Sequence, residues 1–163
     1  MPRARSSVVK NALAECDPNI SPKVNVFLIG AAGGIGSVLA RTLAAAGHSV
    51  ILAGRTQSKL DPLATELNAR TVFVDAANFD ALEQAVQQFG PVDSVVNCAG
   101  SLILKPAHLT TEKEWRETLE INLTSAFSTV RAAAKAMMNT GGSIVLCSTA
   151  AARAGFANHE AIA

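Results

Sequence analysis

The sequence predicts an α/β chain built on a doubly wound parallel sheet, and three features carry that expectation. Short apolar runs suited to strands alternate with segments of helical periodicity. The first run passes directly into a glycine-rich turn and then a helical pattern. Beyond that alternation there is no internal repeat, no low-complexity segment and no linker, so one domain is expected.

The strand candidates are 24–29, 49–53, 71–74, 93–96 and 143–148. Between them, Ile35, Val38, Leu39, Leu43 and Ala46 form the first helical pattern. Leu60, Leu63, Ala64 and Leu67 share one helical face, as do Phe79, Leu82, Val86 and Phe89. A longer helix is predicted over 111–138, with Trp115, Leu119, Ala126, Val130, Ala133 and Met137 as its apolar stripe. Thr110 or Thr111 suits its N-terminus, with Glu112 and Glu114 in the first turn. Gly141-Gly142 ends it and feeds the next strand. Strands joined by helices give right-handed crossovers and a parallel sheet with helices on both faces. Five strands suit the Rossmann-type order 3-2-1-4-5, with ligands bound at the carboxyl ends near the switch between strands 1 and 4. Residues 22–163 are assigned to this unit and residues 1–21 to a flexible N-terminal tail.

Composition narrows the function. The chain of 163 residues is 49% hydrophobic and 17% charged, values of a globular domain. A net charge of +1 gives no footprint for nucleic acid or a membrane surface. No apolar run reaches the roughly 18 residues of a spanning helix. The start, Met1-Pro2-Arg3-Ala4-Arg5-Ser6-Ser7, lacks the apolar core of a secretory signal. Cys16, Cys98 and Cys147 are odd in number and show no CxxC spacing, so free thiols in a reducing cytoplasm are expected, with no metal site. The chain contains no tyrosine.

The chemistry-bearing residues lie at the strand ends. Gly30-Ala31-Ala32-Gly33-Gly34-Ile35-Gly36 sits between a strand and a helix, where free N–H groups and the helix dipole favour a pyrophosphate. Gly30, Gly33, Gly34, Ile35 and Gly36 are therefore assigned to a dinucleotide. The second strand ends in Ala53-Gly54-Arg55-Thr56, with no carboxylate to take ribose hydroxyls. Arg55 offers planar donors to a 2′-phosphate, which favours NADP over NAD. Asp75 either accepts from an adenine amino group or caps the following turn. Asn97 either ties strand ends together or touches the cofactor, and the small Ala99 and Gly100 allow close backbone approach.

Together these motifs resemble the short-chain dehydrogenase/reductase family over about 24–163. Gly30-x-x-x-Gly34-Ile35-Gly36 matches its glycine motif. Asn97-Cys98-Ala99-Gly100 is similar to its Asn-Asn-Ala-Gly motif, with cysteine in place of the second asparagine. Glu120-Ile121-Asn122-Leu123 resembles the segment holding its active-site asparagine. Gly142-Ser143-Ile144-Val145-Leu146-Cys147-Ser148-Thr149 resembles the strand carrying its catalytic serine, with Ser148 or Thr149 in that role. Within the family the chain looks most like the 3-oxoacyl-carrier-protein reductase type.

The resemblance implies an NADP-dependent oxidoreductase that moves a hydride between nicotinamide and a small carbonyl or alcohol substrate. It implies Asn122 and Ser148 or Thr149 as catalytic positions, and a homo-oligomer formed through the helix 111–138. Hydride transfer to a carbonyl builds an alkoxide that must be protonated. The family uses a tyrosine, tuned by a lysine one helical turn later. Register from the 142–149 strand places that tyrosine at Ile162, and the lysine falls beyond residue 163. His159 and Glu160 lie near Ile162 and are assigned to an exposed loop. The resemblance therefore also implies a chain truncated at its C-terminus, and a second reading as a non-catalytic dinucleotide-binding module.

Overall fold

The computed structural model describes residues 22–163. The predicted tail, with Cys16, lies outside them. Five parallel strands are joined by helices. β1 (Asn25–Ile29) leads to α1 (Gly34–Ala45), β2 (Ser49–Gly54) to α2 (Gln57–Leu67), and β3 (Arg70–Phe73) to α3 (Phe79–Gln88). β4 (Ser94–Asn97) is followed by a loop with one 3-10 turn (Ala107–Leu109). Then come α4 (Glu112–Leu119), a π-helical segment (Glu120–Thr124), α5 (Ser125–Ala136), β5 (Ser143–Leu146) and the short α6 (Ala151–Ala154). The strand order is β3-β2-β1-β4-β5, as the alternation predicts.

The central strands are apolar without alternation because both sheet faces are covered. On one face, Phe27, Ile29, Ile51, Ala53 and Val95 pack against Leu82 and Val86 of α3 and Ala132, Ala133 and Met137 at the end of α5. On the other, Val26, Leu28, Val50, Leu52 and Val96 meet Ala40 of α1 and Leu60 and Leu63 of α2. Each fully buried leucine contributes about 1.5–3 kcal/mol relative to an exposed one. β5 differs: all four of its residues are exposed.

Two predicted faces are corrected by the packing. In α1 the buried positions are Gly36 and Ala40, while Ile35 and Val38 are 68% and 62% exposed. Small residues face the sheet because α1 lies tight against the turn after β1. The helix predicted over 111–138 runs over 112–136 and contains one π-helical turn. The π-helical turn at Glu120–Thr124 inserts extra backbone and turns the face of everything after it. Ala133 and Met137 of the predicted stripe are buried, joined on the inward face by Ser125, Ser128, Thr129 and Ala132, whereas Trp115 is 44% and Val130 37% exposed.

The N-terminal cap of that segment forms as expected, at Thr111. Thr111 Oγ1 accepts from Glu114 N at 3.3 Å, and Glu114 Oε2 accepts from Thr111 N at 2.8 Å. This reciprocal pairing satisfies two otherwise free donors of the first turn. Gly141 (φ +71°) and Gly142 (φ +156°) turn the chain back into β5.

Candidate functional site

Because the sheet is parallel, the carboxyl ends of β1, β2, β3 and β4 lie along one edge, and the direction in which strands are added switches between β1 and β4. A cavity of about 320 Å³ opens there. Its walls come from each strand end in turn: Gly30 and Gly33, then Arg55 and Lys59, then Asp75, then Cys98, Ala99 and Gly100. Ile121 and Ser125 close the far side from the π-helical turn.

The glycines of the first loop do different work. Gly30 adopts φ +74°, and a Cβ there would lie 2.6 Å from Ala99 N, so the β1 and β4 loops touch through backbone alone. A Cβ on Gly36 would collide with Gly30 O. Gly34 is unlike both. No protein atom lies within 4 Å of a Cβ placed on it, and its φ is not positive. The fold itself does not require glycine at Gly34, and the vacant space lies at the helix N-terminus.

That terminus is open to an anion. Gly33, the N-cap of α1, makes no side-chain cap bond, and the first turn holds no acid. The helical ladder starts with Ser37 N donating to Gly33 O at 2.9 Å. The preceding N–H groups, on Gly34, Ile35 and Gly36, carry the positive end of the helix dipole; these three residues follow Gly33, the last residue of the turn that lines the cavity. Ile35 contributes its N–H while its side chain stands exposed.

A second anion-seeking feature lies at the end of β2. Arg55 precedes Thr56, the N-cap of α2, and Lys59 lies in that helix's first turn. Both line the cavity, both are exposed, and neither joins an ion pair among the described residues. Two cations at the positive end of a helix are electrostatically unfavourable unless an anion sits between them. Lys59 was not singled out from the sequence, although the Arg55-x-x-x-Lys59 spacing is visible there. Asp75 Oδ1 accepts from Ala77 N at 3.0 Å, capping its turn, and the residue lines the cavity.

Asn97 supports the site from beneath and does not line the cavity. It is 3% exposed. Its Oδ1 accepts from Ala99 N at 2.8 Å, and its Nδ2 donates to Thr129 Oγ1 at 3.0 Å and Ser125 Oγ at 3.3 Å. The inward serine and threonine of α5 are thus the partners a buried amide requires. Asn97 fixes the loop carrying Ala99 and Gly100 against α5.

Asn122 lies on the π-helical turn. Its Oδ1 accepts from Ser101 N at 2.9 Å, and its Nδ2 donates to Ser101 Oγ and Thr118 O, both at 3.0 Å. A Cβ on Gly100 would approach Asn122 Oδ1 at 3.2 Å, so the amide borders the cavity loop. Ser148 and Thr149 follow β5, whose Leu146 pairs with Asn97, and so emerge beside the β4 loop without lining the cavity. Thr149 Oγ1 accepts from Ala151 N at 3.1 Å, while Ser148 is exposed.

Past α6, His159 Nδ1 lies 2.8 Å from Ala157 O and its ring stacks edge-on against Phe156 at 5.5 Å. Ile162 is half-buried one turn later and carries no proton-transferring atom. This turn is tied to the loop after β4, where Lys105 N donates to Asn158 O at 2.8 Å and Lys105 Nζ pairs with Glu114 Oε2 at 2.9 Å. The backbone N–H and hydroxyl of Thr111, with the Lys105 ammonium, hold the Glu114 carboxyl down at about 2.

Among the described residues no helix is long and apolar enough to cross a membrane. None of their His, Cys, Asp and Glu side chains form a group of three or more that could hold a metal ion.

The family model for short chain dehydrogenases matches residues 24–161. The chain is 37% identical over 137 residues to an L-xylulose reductase of Mesocricetus auratus, covering 82% of this chain and 56% of that protein. It is 32% identical over 166 residues to a trans-4-hydroxycyclohexanecarboxylate dehydrogenase of Sinomonas cyclohexanicum, covering 93% of this chain and 64% of the relative. The structure of a short-chain dehydrogenase/reductase from Mycobacterium ulcerans superposes with a TM-score of 0.82 at 30% identity, over 88% of this chain and 57% of the other. The chain thus spans somewhat over half the length of each of these relatives.

Proposed function

This chain belongs to the short-chain dehydrogenase family, and we propose that its cavity binds NADP and serves hydride exchange with a small carbonyl or alcohol. The observation that carries the cofactor reading is the pair of cations, Arg55 and Lys59, which line the cavity beside Gly30 and Gly33 and join no ion pair among the described residues. The residues fit the group. The N–H groups of residues 34–36 would hold the pyrophosphate, Arg55 and Lys59 the 2′-phosphate, and Asp75 the adenine edge. Ala99 and Gly100 would lie along the middle of the cofactor, on the shelf that Asn97 fixes. When bound, the nicotinamide supplies a hydride donor or acceptor.

The chain's own residues do the remaining work. Asn122, at the Gly100–Ser101 end, offers an amide for orienting a hydroxyl or a water. Ser148 or Thr149 offers a hydroxyl that can donate to a substrate oxygen, but neither is an acid of useful pKa. The alkoxide that forms in a reduction must still receive a proton, and the side chain at Ile162 cannot give one.

That vacancy favours a second reading, a module that holds the dinucleotide without turnover. The two are separated by following NADPH absorbance with a panel of ketones and β-ketoacyl thioesters while measuring NADPH binding on the same sample. Turnover above background supports the oxidoreductase. Binding without turnover supports the module. Absence of binding overturns both.

A further inference from the structure

We propose that Cys98 and Cys147 form a redox-responsive dithiol beside the cavity, closing reversibly to a disulfide that weakens dinucleotide binding. The weakening rests on the dinucleotide reading above; the bond itself does not.

The placement comes from the sheet. β4 and β5 run parallel with Val96 opposite Val145 and Asn97 opposite Leu146, so one step further sets Cys98 opposite Cys147. Registered partners on neighbouring strands point to the same face. Neighbouring strands lie about 4.8 Å apart, inside the roughly 4.4–6.8 Å that a disulfide spans between Cα atoms. Cys147 is exposed, whereas Cys98 is half-buried. Burial, with Cys147 beside it, pushes the Cys98 thiol up to about 11, so Cys147 is the sulfur an oxidant meets first.

With hydrogen peroxide as oxidant, the Cys147 thiolate attacks one peroxide oxygen and the O–O bond breaks. That oxygen stays on Sγ as a sulfenic acid, and the other leaves as water after taking a proton. Cys98 Sγ then attacks Cys147 Sγ, the S–O bond breaks, and the departing hydroxide takes the Cys98 proton. Two thiols and one peroxide become one disulfide and two waters. A thiol reductant reverses the bond by exchange.

The cavity is sensitive to this step because Cys98 is part of its wall. Cys98 N donates to Ile29 O at 2.9 Å. A Cβ on Gly30 would lie 2.7 Å from Cys98 C, so the β4 end and the glycine turn have no slack between them. Drawing the two sulfurs together to about 2.05 Å pulls on Cys98, which that turn holds without slack.

The test uses the full chain carrying Cys16→Ser, so that Cys98 and Cys147 are the remaining thiols. The chain is treated with hydrogen peroxide, mapped without reduction by mass spectrometry, and titrated with NADPH before oxidation, after it, and after dithiothreitol. The expected result is a loss of two hydrogen atoms, a linked Cys98–Cys147 peptide and a several-fold rise in Kd that dithiothreitol reverses. Adding Cys147→Ser should abolish both the link and the shift while leaving the reduced Kd unchanged. Sulfinic acid on Cys147 without a link, a link between two chains only, or a link with unchanged Kd would overturn the proposal. If the reduced chain binds no NADPH, the dinucleotide reading fails separately, and the peptide map still decides the disulfide.

Discussion

The two ends of the cavity are furnished unequally. At the end proposed for the nucleotide, Gly30 and Gly33 from the turn after β1 and the cations Arg55 and Lys59, which join no ion pair among the described residues, line the wall. At the opposite end, Asn122 is held by Ser101 and Thr118, and Ile162, the position that the family resemblance gives to the proton donor, carries no proton-transferring atom. On the proposed reading, binding and chemistry rest on different residues. Backbone shape and a few charges suffice to hold a phosphate, whereas proton transfer depends on one side chain of suitable pKa.

The largest expected effect tests whether the glycine turn is fold or site. Gly30→Ala forces a side chain into the β4 loop at φ +74° and should cost about 3 kcal/mol of stability, read by urea unfolding. Gly34→Ala meets nothing, so it should leave the unfolding midpoint within a small shift and lower NADPH affinity. Equal behaviour of the two variants would erase the distinction between a structural and a ligand-facing glycine.

Asn97→Ala comes next. It strips three hydrogen bonds from a buried site, and a loss of about 2 kcal/mol is expected, together with weaker NADPH binding through the loosened Ala99–Gly100 shelf. Stability lost without any change in binding would show that the shelf does not touch the ligand. Arg55→Ala acts on one end alone. Losing charge-assisted bonds worth about 1.5–3 kcal/mol should weaken NADPH roughly ten- to a hundredfold and leave NADH unchanged, as read by calorimetry.

The smallest effect lies outside the cavity. Glu114 is depressed from 4.5 to about 2 by Thr111 and Lys105. A depressed acid contributes stability above its unfolded value and loses it as pH falls toward its folded one. Glu114→Gln should therefore flatten the fall in stability between pH 4.5 and about 2 and leave NADPH affinity at neutral pH as it was.

Much of this was legible beforehand because strands buried on both faces leave continuous apolar runs. The runs over Val26–Ile29 and Val50–Ala53 mark central strands, and the glycine spacing marks the turn whose Gly30 and Gly33 line the cavity. Less legible were the features set by contact rather than pattern. The inward face of α5 is polar because Ser125 and Thr129 answer Asn97, a partner 28 to 32 residues away that periodicity cannot see. The π-helical turn at Glu120–Thr124 changes the face without any proline or glycine to mark it. Ile35 and Val38 point outward because α1 presses glycine and alanine against the sheet. Lys59 looked like one more helix lysine until the fold set it beside Arg55.

The most direct test titrates NADPH and NADH by calorimetry into the chain and into its Arg55→Ala variant. Tighter binding of NADPH, with the preference lost in the variant and NADH affinity unmoved, is the expected result. Binding of neither dinucleotide, or a preference for NADPH that survives removal of Arg55, would contradict the assignment of this cavity.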